Sequence, residues 1–376
     1  MSIRAYQEGI RLPKERKGIY IMKTNLKKLL YSGVTLMSLG VLAACSSTSS
    51  STATSSSAAT SQTSVATTSN NSTSSDSSTS SIDWSALPTT EVTLSNDGLK
   101  ITEGGNYILT GSTTAGVTVE TDANVRIILA GTDISSSDTA AINVINADNV
   151  ELEIKDGTTN TVKDTSNHTD IKIEGAIHVE ADLTITGHGS LTVEGNFQDG
   201  IVSTDDLVVN SGNITVTAVD DGIRVKDSLT INGGTINVTA GGDGIKAETA
   251  LTIDGGTITV SESAEALEGA NITVNGGTLD VYGSDDAINA ASTTSSEIFI
   301  KVTGGDLKVA VGSGDTDAFD ANGDIYISGG TIDVTAQSTF DFNGTSELTG
   351  GTVTVNGEQI TQIIATGPGA GGHGGW

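Results

Sequence analysis

Residues 219–240 read VDDGIRVKDSLTINGGTINVTA, and residues 241–262 read GGDGIKAETALTIDGGTITVSE. The two segments align without a gap, one period of 22 residues apart (241 − 219 = 22). Each contains three short alternations of apolar and polar residues, in the first copy Ile223 and Val225, Leu229 and Ile231, Ile236 and Val238. Alternation of this kind marks a strand with its apolar residues on one side. AspGly and GlyGly pairs separate the runs, at corners where the chain needs positive φ or has no room for a Cβ. A period of this length is too long for a heptad and too short for a domain, so it is read as one coil of a solenoid. The fold class predicted is therefore all-β, a parallel β-helix in which each residue stacks about 4.8 Å from its counterpart in the next coil.

The period extends in both directions. Following the last Gly of the GlyGly corner, SerGly in the first case, gives Gly212, Gly234, Gly256, Gly277, Gly305, Gly330 and Gly351, in steps of 22, 22, 21, 28, 25 and 21, the longer steps being loops. Upstream, the segments from Ala141 and Ala176 keep the pattern around a longer insertion, and Gly116 is expected to open the first coil after a strand near Tyr107. The prediction is a single domain of about ten coils over residues 83–366, with a Gly-rich tail at 367–376. Composition agrees: 46 Gly against 3 Pro, with 3% aromatic residues, suits ladders of Ile, Val, Leu and Ala and keeps out a residue that cannot donate to the ladder. The nonapeptide calcium roll, also rich in Gly and Asp, has a different repeat length and is excluded.

The N-terminal residues carry an address. From Met22 the chain reads MKTNLKKLLYSGVTLMSLGVLAAC: three lysines, a short apolar stretch, then Leu42, Ala43, Ala44 and Cys45. This arrangement is similar to a bacterial lipoprotein signal, which makes residues 22–45 the signal peptide and lipobox and Cys45 the lipid-bearing residue. Residues 1–21 are read as a misassigned upstream start. Cys45 is the sole cysteine, which excludes an internal disulfide and a multi-cysteine zinc site. Residues 46–82, almost all Ser, Thr and Ala up to Ser81, cannot bury enough apolar surface to offset ordering and are predicted to be a disordered linker. The expected location is the outer face of the cell membrane in a Gram-positive type of envelope, lipid-anchored, as a monomer.

The net charge is −28, which argues against nucleic acid as a partner. Asp199, Asp221, Asp243 and Glu265 fall at one phase of the repeat (221 − 199 = 243 − 221 = 265 − 243 = 22). Asp286 and Asp317 continue the column once the shorter step and the loop are allowed for, and Asp220, Asp285, Asp315 and Asp320 flank it. Carboxylates stacked about 5 Å apart repel by about 1 kcal/mol in water and about 3 kcal/mol at an effective dielectric near 20. Such a stripe calls for a counter-ion, and Ca2+ suits it because it accepts six to eight oxygen ligands from flexible carboxylates. Zinc would want His or Cys, and the four histidines form no recognisable ligand set. A solvated AspGly turn is the alternative account of the same column.

A basic ladder stands beside the acids. Arg224 and Lys246 are one period apart (246 − 224 = 22), with Lys226 two residues beyond Arg224, and all three fall in the outward phase. They are candidates for contacting sugar carboxylates or hydroxyls. The alternative assigns them to neutralising Asp221, Asp243 and Glu248 across the sheet face.

The blocks EGGNYILTGS (103–112), VRIILAGTDISSSDTAAINV (125–144), GSLTVEGNFQDGIVSTDDLVV (189–209) and DDGIRVKDSLTINGGTINVTAGGDGIKA (220–247) resemble the carbohydrate-binding β-helix family of exported bacterial proteins. The resemblance implies a right-handed, single-stranded parallel β-helix of pectate-lyase-like shape, bound calcium, and binding of cellulose-like or polygalacturonate-like polysaccharide. It points to Asp199, Asp220, Asp221 and Asp243 at the AspGly corners as calcium ligands. Glu265, Asp286 and Asp317 are each followed by Ala and depart from that pattern.

Two functional readings follow. One is a surface protein that holds acidic polysaccharide without turnover. The other is a calcium-dependent polysaccharide lyase in which Arg224, Lys226 or Lys246 acts as the base. A basic group among carboxylates has its charged form stabilised and makes a poor base, which favours binding. A passive spacer or adhesin with a protein partner is a third possibility. Phe319 and Phe340 fall in the inward phase and are read as core, so the expected mode is ionic rather than aromatic stacking.

Overall fold

A computed structural model describes residues 82–314 and 316–366. The signal, Cys45, the linker up to residue 81, Asp315 and the tail 367–376 lie outside these residues. Apart from one 3-10 turn at Trp84–Ala86, the regular structure described is β, in a sheet of 31 strands. The strands wind as three parallel ladders. One coil is made of Ile223–Val225, Ser228–Ile231 and Thr235–Ala240, and each of its strands pairs in parallel with its repeat in the next coil, Ile223 with Ile245, Leu229 with Leu251 and Ile236 with Ile258. On the face that follows the AspGly corner, ten successive pairings join eleven strands, from Leu99–Ile101 to Ser338–Phe342. Winding begins before Gly116, because Thr89–Leu94 already lies in register with Asn106–Gly111.

Vertical stacking explains the core. Ile201, Ile223, Ile245, Leu267, Ile288, Phe319 and Phe340 form one inward column, all buried. The two phenylalanines sit inside as expected, their rings stacked with centroids 5.3 Å apart. Comparable columns of Leu and Ile line the other two faces. Each fully buried side chain of this size contributes about 1.5–3 kcal/mol, so the repeat supplies its stabilisation coil by coil.

The corners use glycine for two different reasons. At the GlyGly corners the second residue has positive φ, as at Gly234 (+96°). At the AspGly corners the constraint is space: a Cβ on Gly222 would lie 2.3 Å from Val238 Cγ1 and 2.6 Å from the Gly244 carbonyl oxygen. At the C-terminal end Thr352–Val355 pairs antiparallel with Glu358–Ile360 through a turn with positive φ at Asn356 and Gly357. That reversal covers part of a strand edge that would otherwise be open to further pairing.

Candidate functional site

The acidic column forms as the period predicts, but most of its oxygens are already engaged. Asp221 donates its backbone N–H to Asp199 Oδ1 at 3.0 Å, and Asp243 donates its own to Asp221 Oδ1 at 2.8 Å. The next glycine closes the motif in the opposite sense, Gly222 N–H donating to the Asp243 carbonyl at 2.8 Å. The ladder resumes where Asp317 donates to Asp286 Oδ1 at 2.7 Å. Asp199, Asp221, Asp243 and Asp317 are buried, Glu265 and Asp286 are half-buried, and Asp220 and Asp285 are exposed. One oxygen of each of Asp199, Asp221 and Asp286 therefore caps the backbone of the following coil.

Outside this column runs a second one, set by strand register: His178, Val202, Arg224, Lys246, Glu268, Asn289, Asp320 and Asp341. Its charge changes sign between Lys246 and Glu268. Arg224 is bound by Glu174 and lies 3.3 Å from Asp199 Oδ2. Lys246 Nζ sits 2.6 Å from Asp243 Oδ2 and 2.5 Å from Glu268 Oε2. The partner expected for Lys246 on the strand face, Glu248, is exposed, and Glu268 takes its place because it stands directly across the ladder. Lys226 is exposed at the corner after the strand, with no ion pair among the described residues, so it does not join the other two bases.

The carboxylates around Lys246 crowd one another. Oxygens of Asp243, Glu265 and Glu268 all lie within 4.8 Å of each other. Burial, and then the hydrogen bond and charge of Asp243, push Glu265 up to about 9. Burial and Asp243 likewise push Glu268 up to about 7, although Lys246 opposes them. Burial also opposes ionisation of Asp243, but hydrogen bonds with Glu268, Glu265 and Lys246 outweigh it and hold the group down at about 2. Farther along the stack, burial and the charges of Asp286, Asp341 and Asp317 raise Asp320 to about 7. Asp221 is raised to about 7 by burial and by Asp243, and Asp199 to about 6 by burial, with the Asp221 N–H and Arg224 pulling the other way. The face carries more negative charge than its two bases neutralise.

Two members of this surface escaped the repeat reading for different reasons. Glu268 was within reach, at the phase of Lys246 (268 − 246 = 22). Glu174 belongs to the insertion between the coils from Ala141 and Ala176, which carries no period. A buried contact fixes that insertion: His168 Nε2 lies 2.9 Å from Asp164 Oδ2, its Nδ1 lies 2.5 Å from the Ile173 carbonyl oxygen, and Phe197 stacks on its ring with centroids 4.4 Å apart. His178, close by, is buried with Nδ1 unpartnered, and desolvation lowers it to about 4, so it is neutral at physiological pH.

A three-carboxylate, all-oxygen donor set with a deficit of positive charge fits a hard cation such as Ca2+. Asp243, Glu265 and Glu268 are the residues that would hold it, in competition with the Lys246 ammonium. Asp199 fits less well, since one oxygen caps Asp221 and the other faces Arg224.

A solved structure titled as the polysaccharide lyase-like protein from C. thermocellum, in its gadolinium derivative, aligns with 72% of this chain and 88% of its own, at 24% identity and a TM-score of 0.42. A carbohydrate-binding domain-containing protein of Acetivibrio thermocellus is 33% identical over 135 residues, which are 34% of this chain and 47% of that relative. The aligned region thus spans about half the length of the relative. The profile of the carbohydrate-binding domain-containing protein family matches residues 95–268 and 248–367, covering most of the coil stack, and the chain belongs to that family.

Proposed function

We propose that this chain is a lipid-anchored surface protein that binds polysaccharide, acidic and polygalacturonate-like or else cellulose-like, on the charged face around Lys246, and that it does so without turnover. The observation that carries this reading is the Asp243, Glu265 and Glu268 cluster with Lys246 seated in it, at the point where the outward column changes from basic to acidic. A bound Ca2+ would supply the missing positive charge and a bridging point for sugar carboxylates. Lys246 and Arg224 offer ammonium and guanidinium donors on the adjoining coils. The anchor follows from the signal-like segment ending at Cys45.

The lyase alternative finds less support. A lyase needs a base that gives up its proton near neutral pH. Although burial works against their charged forms, Lys246 and Arg224 are both pushed upward by their carboxylate partners. They stay charged and serve as anchors.

The test is retention of the full chain, purified in detergent, on immobilised polygalacturonate in calcium or in chelator, with ultraviolet absorbance followed in a parallel solution assay. Calcium-dependent retention without new unsaturated chain ends is expected. Rising absorbance would make the protein a lyase, and retention unchanged by chelator would remove calcium from the account.

A further inference from the structure

The corner between the first and second faces is turned by four residues or fewer in the other coils, for example by Lys226 and Asp227 between Val225 and Ser228. Three coils later, the eight residues 291–298 stand between Ala290 and Phe299. They wall two adjacent recesses, and a third follows along the second face. The first, of 370 Å³, is lined by Lys246, Glu268 and Asn322. The second, of 360 Å³, shares Asn322 and adds Phe299 and Tyr326. The third, of 380 Å³, shares both rings and adds Lys301 and Glu347. Each volume falls at the low end of the range for small-molecule clefts, about 300–1,000 Å³, and together they lead from the charged column to an aromatic pair.

The rings are placed for contact with a ligand. Phe299 and Tyr326 alternate with the buried Ile300, Ile325 and Ile327, so both point outward, half-exposed, on neighbouring coils. The same face carries Thr230, Thr252 and Thr273 in the preceding coils. Tyr326 is held in orientation: its hydroxyl donates to Asp324 Oδ2 at 2.8 Å, and Asp324 Oδ1 accepts the Thr345 N–H at 2.6 Å. Asn322 spends its carbonyl oxygen on Asn343, which leaves its amide nitrogen to donate. A pyranose presents C–H faces, which suit aromatic rings, and hydroxyl edges, which suit amides and carboxylates.

We propose that residues 291–298 wall a glycan path, and that an uncharged hexopyranose unit stacks at Phe299 and Tyr326 while the same chain continues to the Lys246 and Glu268 end. This rests on the polysaccharide reading above and adds to it a second, aromatic subsite around the corner from the charged column.

The test is calorimetric titration of the full chain in detergent with a cello-oligosaccharide and with an oligogalacturonide. Phe299→Ala and Tyr326→Ala are each expected to weaken binding roughly tenfold, whereas Phe299→Trp and Tyr326→Phe keep it within about twofold. Phe299→Trp also provides a direct reading, since its added emission should shift to the blue when either sugar is titrated in. Binding that survives removal of both rings, with no change in that emission, overturns this proposal and leaves the polysaccharide reading standing. A wild-type chain that binds neither sugar overturns both.

Discussion

The Asp221 carboxylate accepts the backbone N–H of Asp243 one coil away, at 2.8 Å, and both residues are buried. Asp221 is thus a structural acceptor before it is anything else. Replacing it with Ala strands a buried N–H and should cost about 1–3 kcal/mol. Asp221→Asn keeps an acceptor of the same reach and should cost less. Denaturant unfolding of the two variants separates them, and an equal loss in both would show that the charge, rather than the hydrogen bond, is what Asp243 needs.

Raised carboxyls set a pH dependence whose sign can be worked out. Asp221, Glu268 and Asp320 sit at about 7 and Glu265 at about 9 in the folded chain, all above their ordinary values near 4. The native state then binds more protons than the unfolded one from about pH 4 upward, so stability falls as pH rises through that window. Asp243, held at about 2, works the other way, but only below pH 4. In chelator, the melting temperature should therefore be higher at pH 5 than at pH 7.5. If calcium binds this face, adding it should raise the pH 7.5 value more than the pH 5 value. A metal-free melting temperature that climbs between pH 5 and 7.5 would contradict the proton linkage.

The repeat made much of this surface legible, and the places where it failed are physical. A parallel stack copies its side chains, so one 22-residue phase located Asp199, Asp221 and Asp243 and also placed Phe319 and Phe340 in the core. It could not report that Asp199 and Asp221 turn their oxygens to backbone N–H groups, because hydrogen bonds between coils depend on rotamers rather than on period. Glu174 and residues 291–298 lie in insertions, where counting stops. Phe299 and Tyr326 were overlooked for a related reason. They sit on the second face, away from the charged corner, beside an insertion that the period does not reach, whereas Phe319 and Phe340 fall in the inward phase of the repeat.

Lys246 answers two carboxylates at once, and its side chain is only 26% exposed. Lys246→Met should leave Asp243 and Glu268 facing each other without a cation, destabilising the metal-free protein by about 1–3 kcal/mol at neutral pH, between the values for an exposed and a fully buried pair because some water remains. If Ca2+ competes with the ammonium for these oxygens, calcium should recover more stability in the variant than in the wild type. Parallel melts in chelator and in calcium read both effects. A variant whose loss is the same in both conditions would separate Lys246 from the cation site.

Gly222 tests the winding itself. It does not occupy a left-handed conformation, so the objection to a side chain there is steric: an added Cβ would press on Val238 Cγ1 at 2.3 Å and on the Gly244 carbonyl oxygen at 2.6 Å. Neither can yield without shifting an adjacent coil, since Val238 is core and the Gly244 carbonyl accepts the Ile223 N–H. Gly222→Ala should cost about 1–3 kcal/mol through overpacking. Asp220→Ala, two residues earlier and exposed, should change stability by less than about 0.5 kcal/mol. Ala266, two corners along the same column (266 − 222 = 44), already carries a Cβ, so Ala266→Gly makes the reverse change two coils away. Equal stability of Gly222→Ala and wild type in denaturant unfolding would mean that the coils at this corner are farther apart than the register requires.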